Sequence, residues 1–598
     1  MASGGNDMAL KKRETDVVIV GLGWVGSIMA AEMTDAGLNV VALERGPDQD
    51  TPTDASYPKV IDELAYSIRG KLFQDLSKET VTIRHNPAGV ALPYRQQGTF
   101  LLGNGVGGAG FHWNGLSWRP LPSDLKLRSH YTERYGSKFI PQGMTIQDHG
   151  VSFEELEPFF TRFEEVAGVA GKAGNIKGRL IEGGNKFEGA RSKEYPLPPL
   201  KKVYGEQLFD KAARSLGYST FSIPAGNASA PYTNPYGVRL GPCNFCGFCE
   251  NYGCYMYSKA SPQTTILPVL RQRRNFEMRT LAHVTKVNLD SSGKQATGVT
   301  YIDAQGNEVE QPARLVILSA FQLHNVRLLL SNIGKPYDPH TGEGVVGRNY
   351  AYQMLGSVTV QLPKGTYLNP FIGTGAGGTA IDNYNGDNFD HSGLGFLGGA
   401  NIGHHRTGGR PIGQTGVAKG EPNWGKGWKG AVSDNYQRSM NLYTQGSVMA
   451  YRDTYLDLDP TYKDAFGQPL LRVTFNWHDN DIRMSQYVTN KAAEIAVAMN
   501  PSSYTVNAKK IGTPYDTRFY QSTHTTGGAI MGADPKTSVV NRYLQCWDVP
   551  NVFVIGASAF PQNIGYNPTG LVGALAYWSA NAIRERYLKN PGRPLVEV

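Results

Sequence analysis

The chain opens its regular pattern with an unbroken apolar run rather than an alternating one. Val17 to Val20 are all apolar and β-branched, which is typical of a parallel strand buried on both faces. A glycine-rich turn follows, then a helix-forming stretch over 27–36 that stops at Gly37, and a second apolar run over 40–43. This order of strand, turn, helix and strand predicts the first βαβ unit of a parallel sheet.

Three later segments carry patterns that can be interpreted. A strand, a short turn and a helix are predicted over 315–334, and a long helix is predicted from Thr569 because apolar residues recur beyond it at helical spacing. Residues 371–430 are rich in glycine with interspersed aromatics, which indicates irregular loops rather than a repetitive linker. We expect His404 and His405, in this region, to lie in a solvated loop.

Composition and charge exclude several classes of protein. The chain has 598 residues, 11% aromatic and 18% charged, which argues against disorder. Its net charge of +8 comes from scattered lysines and arginines, and the absence of a basic stripe argues against nucleic-acid binding. No apolar window is long enough for a membrane helix. The first residues lack the apolar core of a secretory signal, and residues 1–13 are expected to form a short disordered tail.

The turn after the first strand reads Gly21-Leu-Gly-Trp-Val-Gly26, and Glu44 follows the second strand. In this context the glycines permit a tight turn, a close approach of a pyrophosphate at Gly23, and packing of the helix on the strand. Free N–H groups at the helix N-terminus favour phosphate. Glu44 can accept hydrogen bonds from an adenosine ribose and disfavours a 2′-phosphate. The segment therefore predicts a dinucleotide site.

A second glycine cluster runs from Gly103 to Gly115 and contains His112. Glycine at this density cannot form the interior of a regular helix or strand. The Phe-His-Trp cluster within it is foreign to a flexible linker. The loop is therefore expected to wrap closely around a flat ligand.

These segments resemble the glucose–methanol–choline (GMC) oxidoreductase family over about residues 15–590. The resemblance rests on the loop from Gly103 to Arg119, on the Val345-Val-Gly347-Arg-Asn349 turn, and on the C-terminal segment that starts at Thr523. In another segment that resembles the family, residues 315–334, Phe321 and Asn325 differ from the residues that the family usually carries at these positions. The resemblance implies FAD as cofactor and an α/β chain, α+β overall, with a Rossmann-like FAD-binding domain and a second, antiparallel-sheet substrate domain.

The family pattern also implies domain bounds. The FAD-binding domain would take residues 14–134, 200–350 and 505–598, including the loop that carries four cysteines. The substrate-binding domain would take residues 135–199 and 351–504.

By the same resemblance His524 is the catalytic histidine and Asn567 its partner. Histidine suits the removal of a hydroxyl proton because its ordinary pKa is about 6.5. Many family members carry a second histidine where this chain has Asn567. The helix that starts at Thr569 would direct its N-terminus at the flavin and stabilise negative charge on the reduced ring. The residues expected to bind the cofactor are Gly21, Gly23, Gly26, Glu44, Arg45, Gly103, Gly105, Gly108, His112, Asn114, Gly115, Val284, Ala557, Pro568 and Thr569.

His112 carries a further expectation. The Gly-Gly…His-Trp motif resembles that of the pyranose-oxidising branch of the family, in which a histidine at this position is covalently bonded to the flavin. The alternative is a histidine that only lies beside the flavin.

Four of the five cysteines, Cys243, Cys246, Cys249 and Cys254, lie within twelve residues. Their spacing partly matches a ferredoxin run, so an iron–sulfur cluster is the first interpretation. A three-iron cluster is favoured over a four-iron one, and the sequence does not identify which three or four thiols would bind. A structural zinc site and disulfides or free thiols remain as alternatives.

Within the family, the cysteine segment, the Pro-Tyr-Thr-Asn-Pro-Tyr-Gly approach to it and the Tyr-Leu-Gln…Trp-Asp-Val-Pro tail resemble the flavoprotein subunits of bacterial membrane-bound gluconate 2-dehydrogenases. The resemblance implies oxidation of a sugar acid or polyol, with D-gluconate to 2-keto-D-gluconate as the best candidate. Electrons would pass through the cluster to a membrane-anchored multihaem cytochrome c subunit and the respiratory chain. A small subunit with its own export signal would carry the folded chain to the periplasmic face of the inner membrane.

Other functions remain open. Relatives of the same type oxidise 2-ketogluconate, sorbitol or fructose. An oxygen-dependent sugar oxidase would need neither the cysteines nor a cytochrome. A lyase of the same fold would not use the flavin for redox chemistry. An acidic substrate requires an Arg or Lys near its carboxylate, which the sequence does not identify.

Overall fold

The computed structural model describes residues 10–54, 72–95, 100–405, 416–418, 420–519 and 521–595. Residues 1–9 of the expected disordered tail lie outside these ranges. Leu10 and Lys11 form a short parallel strand beside Val309 and Glu310.

The first sheet has eight strands among the described residues, and its centre is parallel. Val17 to Val20 are at most 3% exposed, because strands pair with this one on both edges and helices cover its faces. Its strands are Leu10–Lys11, Thr15–Val20, Val40–Leu43, Phe276–Arg279, His283–Leu289, Ala296–Ile302, Glu308–Leu318 and Val552–Val554.

The carboxyl ends of four parallel strands of this sheet meet at one edge. Thr15–Val20 pairs in parallel with Val40–Leu43 and with Glu308–Leu318, which in turn pairs with Val552–Val554. Ligands bind outside this edge in open α/β sheets. The glycine turn at Gly21 therefore opens where a binding crevice is expected.

The second sheet has six strands in the described part of the chain and is antiparallel. In spatial order its strands are Ser503–Asn507, Met354–Gln361, Ser439–Gly446, Ala400–His404, Thr379–Ile381 and Phe221–Ser222. The helix Asp479–Ala498 packs on it. This sheet agrees with the antiparallel substrate region that the sequence predicts. The exact domain bounds stay a prediction, and Phe221–Ser222 lies in a segment assigned to the other domain.

The remaining strands are short or form smaller sheets. They are Tyr455–Lys463, Pro469–Thr474, Val81–Arg84 and Leu92–Pro93 in one sheet, and the pairs Asn175–Ile176 with Arg179–Leu180, Tyr232–Thr233 with Arg239–Leu240, and Ala351–Tyr352 with Thr525–Thr526.

The helices flank these sheets. The longer ones are Trp24–Asp35, Leu127–Tyr135, Phe153–Ala167, Tyr204–Ser215, Gln322–Asn332, Gly425–Asn435, Asp479–Ala498 and Thr569–Glu585. Short helical turns are Thr51–Asp54, Ala109–His112, Pro122–Leu125, Ser137–Phe139, Pro262–Thr265, Leu267–Leu270, Ala557–Ala559 and Tyr587–Lys589. Of the helices in the described residues, none is both long and apolar enough to span a bilayer.

His404 and His405 correct one expectation. His404 ends the strand Ala400–His404 and is 2% exposed, with its Nδ1 2.8 Å from the carbonyl oxygen of Asn441. Burial lowers the pKa of His405. The prediction of a solvated loop at this pair is wrong, because residues 400–404 form a buried strand of the second sheet rather than the irregular chain that the glycines of this region suggested.

Candidate active site

A cavity of about 660 Å³ lies between the parallel edge of the first sheet and the second sheet. The two glycine loops line one part of it, and strands Met354–Gln361 and Ser439–Gly446 line another. Of the predicted site residues, those that line this cavity are Gly21, Gly23, Glu44, Arg45, Gly103, Gly108, His112, Asn114, Val284, His524, Ala557, Asn567, Pro568 and Thr569.

The first glycine turn is closely packed except where a ligand would approach. Gly21 has φ +90°, and a Cβ there would lie 2.8 Å from the carbonyl oxygen of Ser319. A Cβ on Gly26 would lie 2.0 Å from the carbonyl oxygen of Gly21, whereas one on Gly23 would meet nothing closer than 3.7 Å. Gly21 and Gly26 therefore let the strand, turn and helix pack, and Gly23 leaves an open approach. Gly23 caps the helix Trp24–Asp35 without a side-chain bond, so its first N–H groups can bind phosphate.

Glu44 is held in place at the end of the second strand. Its carboxylate accepts hydrogen bonds from the backbone N–H of Leu22 and of Gly46, each at 2.9 Å. Burial raises the pKa of Glu44. A carboxylate oxygen can accept more than one hydrogen bond, so these contacts still allow a ribose hydroxyl to bind. The neighbouring Arg45 forms an ion pair with Glu79.

The second glycine loop brings His112 to the cavity wall. Gly105 and Gly108 have φ of +130° and +50°, and a Cβ on Gly103 would lie 2.3 Å from the backbone of Gly108. The short helix Ala109–His112 follows, and His112 is 4% exposed.

Three of the predicted cofactor residues lie behind the cavity wall rather than on it: Gly26, Gly105 and Gly115. Gly105 packs against Gln49, and Gly115, with φ +103°, packs against Asn227. The turn, the buried acid and the second loop together fit a dinucleotide joined to a flat ring, as FAD is.

His524 and Asn567 meet at the cavity. Nε2 of His524 lies 3.2 Å from Nδ2 of Asn567. The indole Nε1–H of Trp118 donates to Oδ1 of Asn567 at 3.0 Å. Since that bond orients the Asn567 amide with its oxygen towards Trp118, the amide NH₂ faces His524, and Nε2 is the acceptor.

Gln353 determines the protonation of the other ring nitrogen of His524, Nδ1. Its Nε2 donates to the backbone carbonyls of Ile564 and Tyr566, each at 3.0 Å, so its Oε1 faces Nδ1 of His524. An amide oxygen can only accept, and Nδ1 therefore carries the proton. Burial lowers the pKa of His524 to about 4. The ring is thus a neutral base whose Nε2 carries no proton and accepts from the Asn567 amide, as removal of a hydroxyl proton requires.

The helix Thr569–Glu585 confirms the helix predicted from Thr569, and Pro568 is its N-cap residue. Pro568 and Thr569 line the cavity. The N-terminal end of this helix therefore brings partial positive charge to the wall that carries Asn567.

The cysteine loop adjoins the His112 loop. The backbone N–H of Asn251 donates to the carbonyl oxygen of His112 at 2.7 Å. The buried Lys259 donates from Nζ to the carbonyl oxygens of Trp113, Cys249 and Tyr252 at 2.5, 2.7 and 2.6 Å. One ammonium therefore ties the two loops together.

The four cysteines form no disulfide. Burial, with a smaller contribution from the neighbouring thiols, raises the pKa of Cys243 and of Cys246 to about 12. In the ranges that the structure describes, no three Cys, His, Asp or Glu side chains are arranged to hold a metal ion. The predicted iron–sulfur cluster is not shown, and neither is the zinc alternative.

Sequence reasoning missed three residues at this site: Trp118, Gln353 and Lys509. Trp118 stands four residues after Asn114 in a segment already singled out, so its place there was a usable signal. Gln353 and Lys509 lie in segments with no motif, and only the pairing of distant strands brings Gln353 against His524 and Lys509 to the cavity.

The sequence is similar to those of known flavin-dependent oxidoreductases. Two family models described as GMC oxidoreductase match residues 206–355 and 450–576. The chain is 58% identical over 597 residues to the gluconate 2-dehydrogenase flavoprotein of Pantoea cypripedii, covering 99% of this chain and 97% of that one. It is 24% identical to the fructose dehydrogenase large subunit of Gluconobacter japonicus, covering 96% and 99%.

The fold also resembles that of a solved structure. Pyridoxine 4-oxidase from Mesorbium loti superposes with a TM-score of 0.56 at 18% identity, over 95% of this chain and 99% of that one. With the site geometry, these likenesses make the protein an FAD-dependent oxidoreductase that acts on CH–OH groups. The chain belongs to the GMC oxidoreductase family.

Proposed function

We propose that the chain is the flavoprotein subunit of a sugar-acid dehydrogenase that oxidises the 2-hydroxyl of D-gluconate to give 2-keto-D-gluconate. The observation that carries the oxidation chemistry is the neutral His524 ring, whose Nε2 faces the Asn567 amide at the cavity. The choice of gluconate rests on the 58% identity to a gluconate 2-dehydrogenase flavoprotein.

The chain's own residues handle the proton. Nε2 of His524 takes the hydroxyl proton of the substrate, and the Asn567 amide donates a hydrogen bond to the same oxygen. Bound FAD supplies the two-electron acceptor for the hydride of the carbinol carbon. The partial positive charge at the N-terminus of the helix Thr569–Glu585 would stabilise the negative charge of the reduced flavin ring.

The electron acceptor is proposed to be a cytochrome c subunit rather than oxygen. The four cysteines are proposed to hold an iron–sulfur cluster, preferably with three irons. This cluster would pass electrons one at a time from the flavin, a two-electron donor, to the haems, which each accept one electron. The donor chemistry supports this, since four thiols share one loop beside the His112 loop. Iron and acid-labile sulfide in the purified protein, together with an electron paramagnetic resonance signal, would support it, whereas stoichiometric zinc or neither metal would refute it.

His112 is proposed to carry the flavin covalently. Its burial on the cavity wall in the second glycine loop supports an attachment there. Protein precipitated in acid should keep its yellow colour, and His112→Ala should release it. Colour lost from the native protein on precipitation would leave His112 as a noncovalent neighbour of the flavin.

We further propose that the chain works in a complex with a small subunit that carries an export signal and with a membrane-anchored multihaem cytochrome c, at the periplasmic face of the inner membrane. Co-purification of a haem protein with the tagged chain from solubilised membranes would support the complex. Recovery of the chain from the cytosolic fraction alone would refute it.

One experiment separates the candidate functions. The visible spectrum of the purified protein is recorded without oxygen, before and after addition of D-gluconate. Bleaching of the flavin band supports the proposal. Bleaching only by 2-ketogluconate, sorbitol or fructose changes the substrate alone. Rapid peroxide formation in air indicates an oxidase, and a flavin that stays oxidised with every substrate indicates a lyase.

A further inference from the structure

Two basic side chains, Arg45 and Lys509, line the described part of the cavity. Arg45 lies next to Glu44 at the dinucleotide end, and its charge is met by the ion pair with Glu79. Lys509 lies at the other end. Its Nζ donates to Oε1 of Gln521 at 3.1 Å, three residues before His524. It is therefore the cation on the side of the catalytic base.

Among the described residues, no acidic side chain pairs with the charge of Lys509. No carboxylate in the described ranges lies within 4.0 Å of its Nζ. The ammonium lies 5.3 Å from the centre of the Trp477 ring. Partial burial lowers its pKa, since the charge has lost water without gaining a counter-ion. An anion that entered the cavity would offset this cost.

The position of Lys509 is built by the second sheet. It follows the strand Ser503–Asn507, which pairs with Met354–Gln361. The side-chain amide of Gln486 donates to the backbone carbonyl of Lys509 at 2.8 Å. The ammonium is thus presented from a fixed strand end.

The same wall carries polar groups suited to hydroxyls. Tyr443 Oη and Gln445 Nε2 are buried there and have no hydrogen-bond partner among the described residues. Ser357, Asn441 and Asn507 also line it. A polyhydroxylated chain with one negative charge would satisfy both kinds of group.

We propose that Lys509 binds the carboxylate of the sugar-acid substrate and so selects acids over neutral polyols. This inference rests on the proposed function and supplies the residue that the sequence did not identify. Oxidation at the 2-hydroxyl puts the reacting carbon next to the carboxyl carbon. The cation that binds the carboxylate and the base that takes the hydroxyl proton must therefore line the same cavity, as Lys509 and His524 do.

The test compares Lys509→Met with the wild-type holoenzyme on two substrates, D-gluconate and D-gluconamide, which keeps every hydroxyl but has no charge. Initial rates are measured with an artificial electron acceptor. A charge-assisted contact predicts that kcat/KM for gluconate falls about 10- to 100-fold, mainly through KM. The value for gluconamide should change less than about 3-fold.

Two controls keep the result interpretable. Lys510→Met removes the adjacent, exposed charge and should leave both substrates unaffected. Lys509→Arg keeps the charge and should retain most of the preference for gluconate. Flavin content and the visible spectrum show whether each variant is folded.

The outcomes separate the two proposals. Equal losses on both substrates, or no loss on gluconate, would overturn the role of Lys509 while the dehydrogenase assignment stands. A wild-type enzyme that reduces its flavin only with neutral polyols would overturn both the substrate proposal and this inference. If another sugar acid is the substrate, a 10- to 100-fold loss on that acid but not on its amide supports the role.

Discussion

Gln353 accepts a hydrogen bond from Nδ1 of His524 while both hydrogens of its own amide are donated to backbone carbonyls. The glutamine thereby cannot turn over to present its NH₂ to the ring without losing two bonds. A single amide, itself locked by the chain, selects the tautomer in which Nε2 is the base.

Gln353→Leu removes this selection. We expect kcat to fall about 10- to 100-fold, part of the 10²–10⁴ that a positioned base contributes, with KM changed less than about 3-fold. The two carbonyls left without a donor should also lower the melting temperature. Gln207→Leu, on the exposed face of the helix Tyr204–Ser215, is the matched control. An unchanged kcat in folded Gln353→Leu would contradict the role.

The pH dependence follows from the pKa of His524, which burial lowers to about 4. Only the unprotonated ring can act as base, so a lowered pKa extends activity to lower pH. We expect kcat/KM to stay level from pH 7 to about pH 5 and to decline as pH falls through about 4. A neutral substrate avoids titration of a substrate carboxylate. A decline that starts at about 6.5, the ordinary value, would show that the ring is solvated in the working enzyme.

Trp118→Phe tests the orientation of Asn567. Phenylalanine preserves a ring over Tyr566, with which Trp118 stacks at 4.8 Å, but it removes the donor to Oδ1 of Asn567. The freed amide can then present its oxygen to Nε2, where two lone pairs repel. We expect kcat/KM to fall about 5- to 10-fold, the value of roughly 1 kcal/mol for one hydrogen bond. Trp424→Phe, at a residue 81% exposed, should leave kcat/KM unchanged. An equal loss of kcat/KM in both variants would show that Trp118 does not act by orienting Asn567.

Gly26→Ala tests the packing of the dinucleotide turn. The added methyl group would lie 2.0 Å from the carbonyl oxygen of Gly21, so the turn must shift. We expect less bound flavin and a loss of about 1–3 kcal/mol in the free energy of unfolding. Gly430→Ala, in the helix Gly425–Asn435 where the methyl group meets nothing within 4 Å, should gain about 0.4–1 kcal/mol. Full flavin content in Gly26→Ala would show that the turn can relax.

The sequence by itself determined the local parts of the site. Gly21, Gly23 and Gly26 could be interpreted from the chain alone, because a tight turn between a strand and a helix is set by neighbouring residues. Family resemblance identified His524 and Asn567 as the catalytic pair, and the structure places them 3.2 Å apart. Their roles, like those of the cofactor residues, stay predictions until the variants are measured.

Only the tertiary structure decided what surrounds that pair. Tyr352 pairs with Thr525 in an antiparallel bridge, and this register places Gln353 beside His524, 171 residues away. A pairing over that distance leaves no local pattern, because it depends on where two separate segments are held by the rest of the fold. Lys509 could not be identified from the sequence for the same reason. Only the second sheet places its ammonium in the cavity, where no carboxylate of the described residues lies within 4.0 Å of its Nζ.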